Sequence, residues 1–316
     1  MEENLNKLSD AKPGSLFSQP WWLDAVAPGS WDAVEIERDG KLTARLPYLY
    51  KKGRLGLHLG MPMLTQTLGP WIAPMEGKAA KRFGREKDLM FELISKLPDY
   101  AYFIQNFDYK ITNWMPWHWK GFEQTTRYTY VLDDLNDTDV LFKGFDTKIR
   151  GDIRKANKQV EVESDVSLDE FLELNDKVFT RQGMSMPYQV DLVRRIDDAC
   201  KERGCRKIFM AKDAKGRGHA AAYVVWNEES TYYLMGGSDP ELRNSGATSL
   251  VLWEAIQFAS GVSRVFDFEG SMLESVERYV RAFGGVPKRY FTITHSRSKK
   301  YRVKRALQQL IQEVKS

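Results

Sequence analysis

Three strand-like runs in close succession, at 206–212, 218–226 and 230–235, lead through a short loop into Arg243-Asn244-Ser245-Gly246-Ala247-Thr248. An apolar helical stretch, 247–260, and a further strand, 264–268, follow at once. A segment that runs from strands through a glycine turn into an apolar helix, then back to a strand, must lay that helix on a sheet. The turn itself is a candidate site. Backbone N–H groups at a helix N-terminus attract anions, small residues allow close approach, and Arg243 adds charge three residues before Gly246. The same residues also make a good strand-to-helix turn with no ligand at all.

The rest of the chain keeps the α/β alternation. A short helix at 19–26 precedes strands at 31–37 and 41–50, joined by Asp39-Gly40, a strong hairpin signal. Residues 51–78 read as loops with short strands, 81–97 as a helix, and 101–106 and 126–132 as strands. From 141 to 158 the apolar residues Leu141, Phe145, Ile149 and Ile153 recur every fourth position, which predicts one helix. Its other face carries Lys143, Lys148, Arg150, Arg154, Lys155 and Lys158, a cationic ridge that suits an anionic partner or a solvated surface. A strand at 160–166 and helices at 168–181 and 188–203 complete the middle. Near the end come a helix at 273–282, a strand at 289–294 and a last helix at 298–314, whose first half is basic and includes Arg302.

At 316 residues the chain has room for two domains, and 42% hydrophobic with 28% charged residues describes a folded protein. The net charge of +4 is too small to argue for nucleic acid by itself. Two cysteines, Cys200 and Cys205, make neither a disulfide scaffold nor a zinc ribbon, and they read as structural bystanders. Four scattered histidines assemble no zinc site and no Ser-His-Asp set, so no metal is expected. The polar N-terminus is no secretory signal and no stretch approaches eighteen apolar residues, so a cytoplasmic protein is expected. The clusters Trp21-Trp22 and Trp114, Trp117, Trp119 suit core packing or a ligand cleft.

A second candidate site is Phe266-Asp267-Phe268-Glu269-Gly270. Acidic residues at the end of a buried strand sit at the sheet edge where α/β folds bind ligands. Asp267 or Glu269 suits a base that takes a proton from an attacking amine, and equally a helix cap. Tyr232 and Tyr233, on a neighbouring predicted strand, are candidate cleft-lining hydroxyls.

These blocks resemble the Fem-type (FemABX) branch of the GNAT superfamily. The residues that carry the resemblance are Thr126-Arg127-Tyr128-Thr129-Tyr130-Val131-Leu132-Asp133, the run Lys148-x-Arg150-x-x-Ile153-Arg154-Lys155-Ala156-x-Lys158, and Phe266–Gly270 with Phe283-Gly284-Gly285. Ser18-Gln19-Pro20-Trp21-Trp22 and Leu46-Pro47-Tyr48 extend it to the start of the chain. The resemblance implies an α/β fold of two tandem GNAT-like domains with mixed sheets, facing each other across a cleft. The first spans 1–125 and is joined by the C-terminal helix 297–316; the second, 126–296, carries the donor site. The implied chemistry is attack of an amine on an activated acyl group. In GNAT enzymes a turn like 243–248 holds the pyrophosphate of coenzyme A, which assigns Arg243, Ser245, Gly246, Ala247 and Thr248 to a coenzyme A thioester donor. Thr248 departs from that pattern.

Three functions follow from the resemblance. One is N-acyl transfer from acyl-CoA to an amine acceptor. A second is Fem-like transfer from aminoacyl-tRNA to a peptidoglycan precursor, with Lys148, Arg150, Arg154, Lys155, Lys158 and Arg302 tracking the tRNA phosphates. The third is an inactive GNAT-fold binding protein. The same basic surface also suits peripheral contact with the anionic inner face of a membrane. Cell-wall members often read Phe-Lys before Phe-Gly-Gly, where this chain has Tyr279-Val280; the cationic role is then absent or moved to Arg278 or Arg281. Oligomeric state, acyl group and acceptor stay open.

Overall fold

The computed structural model of the chain describes residues 12–164, 166–181, 183–270, 272–298 and 301–302. It divides into two compact units: residues up to Arg127 together with those from Arg289 onward, and residues 128–288.

In the first unit β1 (Trp31–Arg38) and β2 (Lys41–Gly53) form the expected Asp39-Gly40 hairpin, and β3 (Gly56–Gly60) pairs antiparallel with β2. The short β4 (Trp71–Ile72) pairs with β2 as well. Helix α1 (Pro20–Val26) precedes these strands. Helix α2 (Ala79–Lys96) packs on β1 and β2 through Met90, Leu93 and Ile94, and leads to β5 (Tyr102–Asn106), which lies parallel to β3. A short helix absent from the sequence reading, α3 (Met115–Trp119), buries Trp117 completely. Phe103, Phe107 and Phe122 pack around its indole at ring distances of 5.7, 4.9 and 4.8 Å. Trp117 and Trp22 are therefore core residues, whereas Trp119 is exposed.

The second unit contains the strand order β6-β11-β10-β9-β8-β7, with β6 at Glu123–Leu132, β7 at Val160–Ser164, β8 at Arg206–Asp213, β9 at Gly218–Trp226, β10 at Ser230–Ser238 and β11 at Val265–Asp267. Its pairings are antiparallel except β10–β11. Residues 219–225 of β9 are all buried, which requires cover on both faces. Ala220, Ala222 and Val224 share a core cluster with the apolar helix α8 (Ala247–Ala259). On the other face Tyr223 meets Phe171 of a helix at Leu168–Thr180, which packs on β9 and β10 and begins with a Ser167/Glu170 capping box.

The expected helix 141–158 is two helices, α4 (Thr138–Gly144) and α5 (Thr147–Ala156). The apolar stripe continues through the break, since Phe145, Ile149 and Ile153 are all buried. The break comes from Asp146, whose carboxylate caps α5 by accepting the Lys148 N–H at 2.8 Å while its own N–H donates to Ala282 O. In chain order the helices from Leu168–Thr180 onward are α6, α7 (Val190–Glu202), α8 and α9 (Glu274–Arg281). The strand expected at 289–294 is the longer β12 (Val286–Ser296), and most of the expected helix 298–314 lies outside the described residues.

Gly246 joins the fold's parts. It N-caps α8 at φ 82°, and a Cβ there would stand 2.3 Å from the Asp152 carbonyl oxygen of α5. Gly246→Ala combines that clash with a left-handed backbone. It is expected to destabilise the chain by about 2–3 kcal/mol in urea unfolding, against less than about 0.5 kcal/mol for the open surface position Gly151→Ala.

Candidate active site

Strands β10 and β11 run parallel only from Ser230–Tyr232 against Val265–Asp267. Beyond that point β10 continues along β9 to Ser238, with an irregular register between Tyr233 and Met235, whereas β11 ends. The two strands part at their C-terminal ends, where open α/β sheets place their ligands.

Asp267 stands at this parting. It is 1% exposed, and its Oδ1 accepts hydrogen bonds from the Thr129 hydroxyl and from the Glu269 N–H, the latter at 2.8 Å. Thr129 in turn accepts the Gly270 N–H at 3.0 Å. Gly270 is the residue the turn needs, because a Cβ would lie 2.7 Å from the Thr129 Cα. The result is a fixed turn that holds Glu269 at φ 49°, rare for a residue with a side chain. The Glu269 side chain gains nothing from the network: its Oε1 is buried and has no hydrogen-bond partner. Burial, and then the nearby Asp267 charge, push its carboxyl well above the usual carboxylate range. Of the two acids named from sequence, one builds the turn and the other is left poised.

Tyrosines line the same end of the sheet. Tyr232 and Tyr233 are neighbours on a strand and face opposite sides, so they do not act together. Tyr232 is buried. The Tyr233 hydroxyl lies over Gly236, and burial, with Tyr188 close by, pushes it up to about 12. Tyr188, also raised to about 12 by burial, donates to Asn175 Oδ1 at 2.9 Å, and Asn175 donates to the Gly236 carbonyl. Tyr279 of α9 shares a 3.1 Å hydrogen bond with Ser249 in the first turn of α8, and burial raises its hydroxyl too. Tyr188, Asn175, Ser249 and Tyr279 were not singled out as site residues from sequence. The one signal was Asn175, a polar residue on the buried side of an amphipathic helix.

Tyr279 also borders a pocket of about 630 Å³ between α5 and α9, lined among others by Lys148, Asp152, Arg278 and Arg281. Arg278 and Arg281 form i,i+4 pairs with Glu274 and Glu277 at 2.8 Å. Such exposed pairs are weak, so both guanidinium groups stay available to a stronger anion. Val280, at the position discussed for the family lysine, is buried in the core, and the flanking arginines line the pocket instead.

In the turn before α8, Arg243 is exposed, Ser245 and Ala247 are buried, and Thr248 is half-buried. The Ser245 hydroxyl accepts the Ala247 N–H at 3.3 Å, and Lys155 donates to the Asn244 carbonyl. One side of Gly246 is filled by the Asp152 carbonyl of α5. Of the expected basic ridge, Lys148, Arg154, Lys155 and Lys158 are exposed and Arg150 is half-buried, bonded to Thr147. Arg302 is exposed in the other unit. Among the described residues no group of three or more His, Cys, Asp or Glu side chains is placed to hold a metal ion. No described helix is long and apolar enough to cross a membrane.

No curated protein matches the sequence. Residues 143–279 match a family model described as an acetyltransferase (GNAT) domain. Among solved structures, FemX is 15% identical, covers 92% of this chain and 95% of its own, and superposes with a TM-score of 0.68. L-PGS from Bacillus licheniformis is 12% identical, with 93% and 91% covered and a TM-score of 0.54. A conserved protein of unknown function from Bacteroides thetaiotaomicron is 13% identical, with 87% and 90% covered and a TM-score of 0.51. At these identities the likeness is one of fold. The resemblance read from the sequence is borne out at that level: the chain has a mixed α/β, tandem GNAT fold of the Fem type, with a GNAT domain match over residues 143–279.

Proposed function

We propose that this chain is a GNAT-type N-acyltransferase that passes an acyl group from an acyl-CoA to an amine bound where β10 and β11 part. One observation carries the reading: the half-buried Glu269, whose Oε1 is enclosed without a hydrogen-bond partner, is fixed by the Asp267 turn at the open end of the sheet. A carboxyl raised in this way is a stronger base than an ordinary one, matched to a proton leaving an amine. In the reaction the amine nitrogen bonds to the thioester carbonyl carbon and the C–S bond breaks. Glu269 takes the proton from nitrogen, and that proton is later delivered to the departing sulfur. Tyr233 and Tyr279, held protonated by burial, are donors for the carbonyl oxygen or the sulfur. The phosphates of the donor are held by Arg243 and by Lys148, Arg278 and Arg281 of the α5–α9 pocket. Ser245, Gly246 and Ala247 keep the turn compact on α5, with Thr248 opening α8.

A second donor is favoured by one feature. Lys148, Arg154 and Lys158 are exposed along and just beyond α5, a track suited to a polyanion such as aminoacyl-tRNA. Steep weakening of donor binding with salt marks that case, and a shallow dependence marks acyl-CoA.

A thermal-shift titration with coenzyme A, acetyl-CoA and long-chain acyl-CoAs tests the donor directly. A saturable rise in Tm that is lost in the double variant R278A/R281A is expected. No shift with any thioester contradicts the acyl-CoA reading, and charged tRNA then becomes the donor to test. Once a turnover assay is in hand, Glu269→Gln is expected to lower kcat by about 10²–10⁴-fold with little change in KM. Wild-type kcat/KM should rise with pH through a midpoint above the usual carboxylate range.

The same carboxyl makes a stability prediction. Its folded value is raised, so its contribution to stability is full below the ordinary carboxylate range and is lost as pH rises through the raised value. Glu269→Gln is therefore expected to melt above wild type at about pH 8, with the difference vanishing near pH 4. Equal melting at both pH values contradicts the burial assigned to Glu269.

A further inference from the structure

Cys200 and Cys205 are placed by the way α7 ends. Arg203 is the C-cap, Gly204 follows at φ 62°, the Gly204 N–H donates to Lys201 O at 3.1 Å, and the Cys205 N–H donates to Cys200 O at 3.0 Å. That double pattern is a Schellman motif, which brings the side chain two residues past the cap against the one three residues before it. A hydrophobic pair usually fills those two positions. Here both are cysteine, and the Cys205 thiol lies against Cys200, donating to its carbonyl oxygen at 3.5 Å. Cys200 is fully buried and Cys205 is partly exposed.

We infer that Cys200 and Cys205 form a dithiol site that closes reversibly to an intramolecular disulfide on reaction with a hydroperoxide. A disulfide needs two side chains that face each other at short range, and the Schellman backbone sets Cys205 against Cys200, with the Cys205 Sγ 3.5 Å from the Cys200 carbonyl oxygen. The roles are unequal. Interaction with the Cys200 thiol, helped by the Arg203 charge, lowers the Cys205 thiol, while interaction with Cys205 and burial raise Cys200. The accessible sulfur is thus the one that ionises first and the enclosed one resolves it. In the first step the Cys205 thiolate attacks a peroxide oxygen. An S–O bond forms, the O–O bond breaks, and the alcohol leaves after taking a proton. The sulfur is oxidised by two electrons and the peroxide is reduced. In the second step the Cys200 sulfur attacks the Cys205 sulfenic acid. The S–S bond forms, the S–O bond breaks, and hydroxide leaves with the Cys200 proton as water.

The surroundings give the bond a structural reach. One helical turn before Cys200, Asp197 accepts from the Tyr223 hydroxyl at 2.9 Å and pairs with Arg206 at 3.0 Å, tying α7 to β9 and β8. A disulfide at Cys200–Cys205 staples the last turn of α7 to the strand that begins at Arg206. The site is independent of the acyl-transfer reading, because none of these residues belongs to the proposed active site.

The experiment is oxidation of the full-length reduced protein with cumene hydroperoxide, read by intact mass, free-thiol titration and peptide mapping. Loss of two hydrogens and of both free thiols is expected, mapped to a 200–205 bridge and reversed by dithiothreitol. In Cys200→Ser the reaction should stop at a sulfenic acid on Cys205, trapped by dimedone. In Cys205→Ser, Cys200 should stay reduced at the same dose. Both thiols remaining free in wild type, oxidation that appears only between molecules, or equal oxidation of Cys200 in Cys205→Ser each overturns the proposal. The wild-type mapping decides the matter even if the buried Cys200→Ser variant does not fold.

Discussion

The Asp267 carboxylate is the constraint on which the proposed site rests. A buried carboxylate must be satisfied by donors, and Asp267 finds them in the Thr129 hydroxyl and the Glu269 backbone. Those bonds stop β11 where it parts from β10 and bend the chain so tightly that only glycine fits at 270. They also force Glu269 into the left-handed region, a conformation retained only where surrounding structure fixes it. One satisfied acid therefore leaves the Oε1 of a second without a partner, and in the proposed reaction that second acid, Glu269, takes the proton. Its charge adds to burial in raising Glu269, so the two residues are coupled electrostatically as well as through the backbone.

Around that centre, the site is assembled from elements far apart in sequence. Tyr233 comes from β10, Ser249 from the first turn of α8 and Tyr279 from α9, and Tyr279 also borders the cationic pocket shared with α5. The basic residues that face this pocket lie on α5 and α9, on opposite sides of a space large enough for a phosphate-bearing group. Val280, where the resemblance places the lysine of cell-wall members, is buried in the core, and Arg278 and Arg281 on either side of it line the pocket.

Much of the fold was legible because burial imposes its period on the sequence. The largely apolar β9, the Asp39-Gly40 hairpin and the glycine turn before α8 are read correctly from local pattern alone. The break between α4 and α5 was hidden because the apolar stripe runs through it unbroken, although Asp146-Thr147 is a capping signal in its own right. For the site, the acidic pair at the strand end was visible, but not which acid would be consumed by the turn; that depends on Thr129, more than a hundred residues away. The convergence of Ser249, Tyr279 and Tyr188 is likewise tertiary and leaves no local trace. The opposed faces of Tyr232 and Tyr233 were implicit in the strand's period of two.

The most direct measurement is the ionisation of Glu269 itself, followed by NMR of the side-chain carboxyl carbon in protein labelled at glutamate and assigned with Glu269→Gln. A midpoint well above the ordinary carboxylate range, moving down when Asp267→Asn removes the neighbouring charge, is the result this account predicts. A midpoint near about 4.3, the value of a free glutamate, would contradict it and leave Glu269 an unremarkable surface acid.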